Sequence, residues 1–223
     1  MKQKTLFITA LVLLVALFAG GAQWYRGETA RQAAAAAAKN RESLVRMHSP
    51  GLGRAEAPVH IVEFLDPACE TCAAFYPIVK KMLADNREDI RLSVRYAPFH
   101  RGSDEVVKAL EASRKQAKFW PALDALIASQ QTWTIQHQAH IERAWPAFAQ
   151  AGLDLERLKA DMQSPEVARV VAQDLQDART LNVTKTPEFF VNGRPLPSFG
   201  LDQLRTLVGE ELAVARQRVA ARN

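Results

Sequence analysis

The chain has only two cysteines, Cys69 and Cys72, three residues apart and directly after a run that is apolar on both faces. No other feature constrains the fold as tightly. In "VHIVEFL", residues 59–65, the side chains of Val59, Ile61, Glu63 and Leu65 fall on one face of a strand and His60, Val62 and Phe64 on the other. A strand with no polar face needs cover on both sides, so it belongs at the centre of a sheet. Asp66 and Pro67 then suit a helix start, because Asp caps and Pro is tolerated at the first helical position. This predicts Cys69 in the first helical turn, where free backbone N–H groups and the positive end of the helix favour a thiolate. Cys72 falls one turn further in on the same side, within reach of a disulfide with Cys69.

Zinc is a poor reading of the pair. A structural zinc site takes four ligands, and the chain offers no second cysteine pair. Its five histidines, at 48, 60, 100, 137 and 140, lack the paired spacing expected beside it. No metal site is therefore expected, and His137 and His140 alone are too few ligands. A static staple is also weak, since so short a loop restrains the unfolded chain little. Redox exchange remains, with Glu70 and Thr71 between the thiols to tune it. Glu63 is either a salt-bridged or partly solvated carboxylate near a strand end, or a buried proton acceptor with a raised pKa.

With 223 residues, 48% of them hydrophobic, the chain suffices for one sizeable domain. Residues 1–46 hold seven Lys/Arg against two Asp/Glu, whereas residues 47–223 hold 22 of each. A neutral body without a basic stripe argues against nucleic-acid binding, which needs clustered cations. The excess charge sits beside an uncharged apolar run at 6–22, with Lys2 and Lys4 before it and Trp24 and Tyr25 after it. Residues 1–22 thus read as a signal-anchor or signal peptide that exports the chain. The aromatic pair at interfacial depth favours a retained inner-membrane anchor over a cleaved leader. Either way the cysteines face an oxidising compartment.

Residues 23–47 read as an Ala-rich helical spacer, or as a weak oligomerisation helix using Ala and Leu44/Val45. Ser49, Pro50, Gly51 and Gly53 break it and open a domain at 48–215, followed by a basic tail at 216–223. Within the domain, "IRLSVRYAPF" alternates as a strand. A helical stretch at about 103–181 is punctuated by Gly152 and by Ser164-Pro165, with Trp120, Trp133, Trp145 and Phe148 as core. Pro187 heads an apolar strand, and Asn192-Gly193 is a strong hairpin signal.

Taken together, "APVHIVEFLDPACETCAAFYP" and "VTKTPEFFVNGRPL" resemble the first strand, active-site helix and cis-proline hairpin of DsbA-like thiol-disulfide oxidoreductases. The order of elements matches over most of residues 48–215. The resemblance implies an α/β thioredoxin-like fold with an inserted α-helical subdomain. It implies Glu63 as the buried acid, Pro77 as a kink in the active-site helix, a cis bond before Pro187, and Thr186 presenting its backbone to an extended substrate.

The function implied is an exported enzyme exchanging disulfides through Cys69 and Cys72, its redox-active disulfide serving in place of a cofactor. Its partners would be cysteine-containing exported proteins and a membrane or periplasmic redox partner. Glu70, where many oxidising relatives carry His nearby, is expected to disfavour the Cys69 thiolate and to make the enzyme more reducing. The direction, as oxidase, reductase or isomerase, stays open. The alternative is a non-enzymatic copper-binding protein using the thiols with His100 or another histidine, since soft thiolates suit Cu(I).

Overall fold

The computed structural model describes the backbone of residues 2–221 and the side chains of all of these except 2–12, 26, 30 and 33. In chain order its elements are α1 (Lys2–Leu44), β1 (Gly51–Leu52), β2 (Val59–Leu65), α2 (Glu70–Asp85), β3 (Ile90–Tyr96) and α3 (Ser103–Ala112). After a 3-10 turn at Ser113–Gln116 come α4 (Phe119–Ala128), α5 (Gln130–Trp133), β4 (Thr134–Ile135), β5 (Gln138–Ala139), α6 (Ile141–Gln150) and α7 (Leu155–Asp161). The chain closes with α8 (Pro165–Thr180), β6 (Glu188–Val191), β7 (Arg194–Pro195) and α9 (Leu201–Ala220).

The main sheet has the order β1-β3-β2-β6-β7. β2 runs parallel to β3 and antiparallel to β6, with Glu63 opposite Val94 on one side and Phe189 on the other. All seven residues of β2 are buried, as expected of an apolar strand that needs cover on both faces. One face carries Ile61, Leu65, Leu92, Val94, Phe189 and Val191 into the larger core, shared with α2, α9 and the inserted helices. The other carries Val62, Phe64 and Phe190 against Leu44, Ala178 and Val183.

The inserted helices start and stop where local chemistry says they should. The Ser164 hydroxyl accepts from Val167 N–H at the head of α8, with Pro165 at its first position, and Asp154 accepts from Arg157 N–H at the head of α7. Trp133 and Phe148 are fully buried. Trp120 and Trp145 pack against the same core while partly exposed. The β4–β5 hairpin was not expected within a helical stretch. Its turn is made by Gln136 and His137, both at positive φ, so it carries no glycine or asparagine signal.

At the other hairpin, Asn192 and Gly193 both take positive φ, and the Asn192 side chain accepts from His60 N–H and donates to Pro58 O. Gly193 is required twice over, since a Cβ there would meet Ala37 O of α1 at 2.4 Å. The C-terminal end of α1 is thereby part of the domain. Asn40 donates to Gly193 O, Ala37 is buried and Leu44 is only 1% exposed. The sequence segments at 1–22 and 23–47 run together as the single helix α1, and residues 216–220 continue α9. The apolar run at 6–22 lies partly outside the described side chains. Among the described residues no helix is long and apolar enough to cross a membrane.

Candidate active site

β2 delivers the chain to the turn at 66–69, and the helix begins later than the sequence predicts. Cys69 is the N-cap of α2 in extended conformation, not a residue of its first turn, and Pro67 lies outside the helix. The reason is competition for the Asp66 carboxylate. It accepts from Ala68 N–H, folding an Asx-type turn, and also from Phe99 N–H, His100 N–H, His100 Nδ1 and the Ser103 hydroxyl. With five donors already engaged in a fully buried position, it is not left to cap a helix. Cys69 N–H bonds Asp66 O, and Gln130, from the insertion, donates to Pro67 O and Cys69 O at 2.7 and 3.0 Å. The turn is thus held from both sides.

Cys69 and Cys72 are both thiols here, 5% and 0% exposed. Their environments push them apart. Hydrogen bonds from the Cys72 thiol, the Thr186 side chain and the backbone N–H groups of Cys72 and Thr71 outweigh the burial cost and bring the Cys69 pKa down to about 5. Cys72 is pushed well above the ordinary thiol value, first by burial, then by its bond to Cys69 and by the charges of Glu63 and Cys69. The N-cap placement keeps the free donors of the helix head at the Cys69 sulfur, so the expected stabilisation of the thiolate survives the shift in helix start.

Glu63 lies within β2, fully buried, with neither carboxylate oxygen bonded among the described residues. Of its two sequence readings, the salt-bridged one is excluded. Burial first, and the nearby Cys69 charge second, raise its pKa to about 8. Pro77 stands inside α2, and the Thr186–Pro187 bond is cis. Thr186 O lies 3.2 Å from the Cys69 sulfur. Cys69, Cys72, Thr186 and Pro187 therefore meet in one place, with Glu63 close enough for its charge to act on Cys72.

The Glu70 carboxylate turns to His137 Nδ1, 2.8 Å away on the β4–β5 turn, and with Glu70 next to it the Cys69 pKa is still lowered overall. Thr71 contributes its backbone N–H to the Cys69 sulfur. Sequence reasoning missed Asp66 as a hub, Gln130, and His100 as its partner. His100 is only partly exposed. Its pKa is raised by the bond to Asp66 first and, further down, by the charges of Cys69 and Glu70. Only the Asp-Pro pair at a strand end could have hinted at Asp66, because its other partners lie more than thirty residues downstream.

Comparison with known proteins agrees with this geometry. A family model described as Thioredoxin matches residues 46–210. A thioredoxin-like oxidoreductase from Silicibacter pomeroyi DSS-3 superposes with a TM-score of 0.67 at 30% identity, covering 79% of this chain and 98% of that one. A probable disulfide bond formation protein D of Bacillus anthracis is 27% identical over 183 residues, 78% of this chain and 83% of that protein. A Na(+)/H(+) antiporter NhaA of Herminiimonas arsenicoxydans is 35% identical over 144 residues, 65% of this chain. The chain spans only 22% of that antiporter's length. With a buried acid, an unequal pair of thiols and a cis-proline gathered near the end of β2, the chain belongs to the thioredoxin family and is similar to its disulfide-forming members.

Proposed function

We propose that the protein exchanges disulfides with cysteine-containing proteins outside the cytoplasm, using Cys69 as the thiol that forms the mixed disulfide and Cys72 as the resolving thiol. The observation that carries this reading is the opposed shift of the two thiols, Cys69 down to about 5 and Cys72 upward. At neutral pH the first is a ready thiolate and the second a protonated reserve.

Starting from the dithiol, the Cys69 thiolate attacks one sulfur of a substrate disulfide. A mixed disulfide forms and one substrate thiolate leaves. The Cys69 charge is then gone, and with it one cause of the raised pKa of Glu63 and two causes of that of Cys72. Glu63 then ionises more readily and takes the Cys72 proton. The Cys72 thiolate attacks the Cys69 sulfur, releasing the second substrate thiolate and closing the Cys69–Cys72 disulfide. Two electrons pass to the substrate. In the opposite direction a substrate thiolate attacks Cys69 of the disulfide and expels Cys72, which takes up a proton; a second substrate thiolate then attacks the substrate sulfur of the mixed disulfide, closing the substrate disulfide and releasing the Cys69 thiolate. A stabilised Cys69 thiolate stabilises the dithiol form, so this second, oxidising direction is the favoured one.

Thr186 would offer its backbone to an extended substrate segment. Two exposed aromatics border the site. Phe99 bonds to Asp66 through its N–H, and Phe199 packs in a tilted contact against Phe75 under the Lys185 ammonium. That suits an unfolded polypeptide better than a small thiol. Export rests on the apolar run at 6–22 with its basic flank, and retention of that run would hold the domain near a membrane redox partner.

Trapping tests the assignment. Cys72→Ala should accumulate mixed disulfides with extracytoplasmic proteins that reductant dissolves, and Cys69→Ala should accumulate none. Equal trapping by both variants would overturn it.

A further inference from the structure

Arg91 and Arg95 project from the same face of β3, four residues apart, yet only one has been neutralised. Arg95 is fully buried. It pairs with Asp174 and Asp177 of α8 and also donates to Ser43 O and Leu44 O at the end of α1. Arg91 is half-buried, its Nε is cut off from solvent, and among the described residues it has neither a hydrogen bond nor an ion pair. The Arg41 guanidinium, from the last turns of α1, also has no carboxylate partner among the described residues.

Both arginines line a cleft of about 310 Å³ between α1, the sheet and the β6–β7 hairpin. It adjoins a second cleft of about 270 Å³, which shares Val45, His60 and Arg91 and is lined in addition by Ser49. The Ser49 hydroxyl is also buried without a partner. His60, opposite Arg91 in the sheet register and 8% exposed, spends Nε2 on Ser93. Among the described residues no Asp or Glu lines either cleft. The carboxylates nearby are occupied or held off. Glu211, bonded to Asn192 at the hairpin side, is paired with Arg194, and Glu56 acts on Arg91 only through its charge.

We propose that this double cleft is a binding site for a phosphate group, at the opposite end of β2 from the cysteines. A phosphate offers several acceptor oxygens to groups that now have none, the buried Nε of Arg91, the Ser49 hydroxyl and the Arg41 guanidinium. A buried donor without an acceptor is destabilising, a penalty that an oxyanion removes. Carbonyls at the C-terminal end of α1 would repel an anion, but Arg95 already takes up Ser43 O and Leu44 O. The charges agree with the geometry. Burial, then Arg91 and Arg41, press the His60 pKa down to about 4, and burial followed by Arg41 lowers that of Arg91.

The phosphate could be free or carried on a lipid headgroup, since α1 joins this cleft to the apolar N-terminal run. Thermal unfolding of the full chain with inorganic phosphate or with glycerol 3-phosphate, each at constant ionic strength set by chloride, tests the site and its source. The expected result is a saturable rise in the midpoint, with tighter binding of glycerol 3-phosphate pointing to a headgroup and tighter binding of inorganic phosphate to the free ion. Arg91→Met should be at least as stable as the parent in chloride alone, because it removes an unpaired buried donor, yet bind the anion at least about tenfold more weakly. Arg41→Gln, at an exposed position, should weaken binding without affecting the fold. Absence of a saturable rise with either probe, or an undiminished rise in both variants, would overturn the proposal.

Discussion

Glu63, within β2, and Asp66, just past its end, lie three residues apart, both fully buried, and they are opposites. Asp66 accepts five hydrogen bonds from two stretches of chain, whereas Glu63 accepts none. Burial alone therefore does not say what a carboxylate is for. A carboxylate surrounded by donors builds the turn on which Cys69 sits. One without donors is held near neutrality, ready to take or give a proton beside Cys72.

The largest expected effect comes from breaking the satisfied partner. Asp66→Ala leaves the N–H groups of Ala68, Phe99 and His100 and the side chains of His100 and Ser103 without their acceptor. It should destabilise the disulfide form by on the order of 3–5 kcal/mol. Urea unfolding monitored by tryptophan fluorescence measures it. A loss below about 1 kcal/mol would mean that the turn holds itself, and that the contrast with Glu63 is only apparent.

The orphan should behave in the reverse sense. The folded pKa of Glu63 is raised to about 8 from an ordinary 4.5, so in the unfolded chain it ionises first. Stability is lost as pH rises from about 4.5 to about 8, and the loss is complete above that. Glu63→Gln removes this ionisation. The variant should gain on the parent through that window and be more stable by about 1–3 kcal/mol at pH 8. It should also resolve mixed disulfides roughly a hundredfold more slowly, because Cys72 has lost its base. Chemical denaturation at several pH values and stopped-flow exchange separate the two readouts. A variant that gains no stability with pH, or that resolves at the parent rate, would remove Glu63 from the role assigned to it.

A smaller effect is expected at His100, which ties the Asp66 hub to the charge on Cys69. Asp66 raises its pKa, so the stability it contributes is fully present below the unfolded value of 6.5 and is lost as pH rises through the folded value. His100→Ala should raise the Cys69 pKa, seen in the thiolate absorbance near 240 nm, and shift the glutathione equilibrium a few-fold toward the disulfide. His100→Lys, which keeps the charge, should restore most of the equilibrium. If alanine and lysine behave alike, His100 only fills space against Asp66.

What the sequence revealed and what it hid divide along the same line as the two acids. β2, the Cys-x-x-Cys pair, the Ser164-Pro165 helix start and the Asn192-Gly193 turn were legible because each is specified by neighbours within a few residues. Glu63 was legible as a candidate because an acid in a doubly apolar strand is conspicuous on its own. The start of α2 was misread because the local signal, Asp-Pro, was correct in kind. The Asp66 carboxylate had simply been claimed by donors from residues 99–103. Arg91 and Arg95 look identical in an alternating strand, and the partners brought by α8 and the end of α1 distinguish them. Partners brought by topology leave no mark on the local pattern.

The smallest expected effect concerns Glu70, the residue from which the sequence expected a less stable Cys69 thiolate. Its carboxylate pairs with His137, which is 78% exposed on a turn of the insertion, while Glu70 itself is 53% exposed. Between groups so open to water such a pair is worth about 0.2–1 kcal/mol and fades with salt. The donors at the Cys69 sulfur are buried and short-ranged, and they set the direction of its shift. His137→Ala frees the Glu70 charge and should move the glutathione equilibrium toward the disulfide by at most about fivefold, the upper end of that energy range. The shift should shrink at high salt. Glu70→His removes the negative charge and should move the same equilibrium toward the dithiol by a similar factor. A tenfold or larger change in either variant, or one that salt leaves intact, would show that exposed charge at the helix head governs Cys69. The ranking of buried donors over surface charge would then have to be reversed.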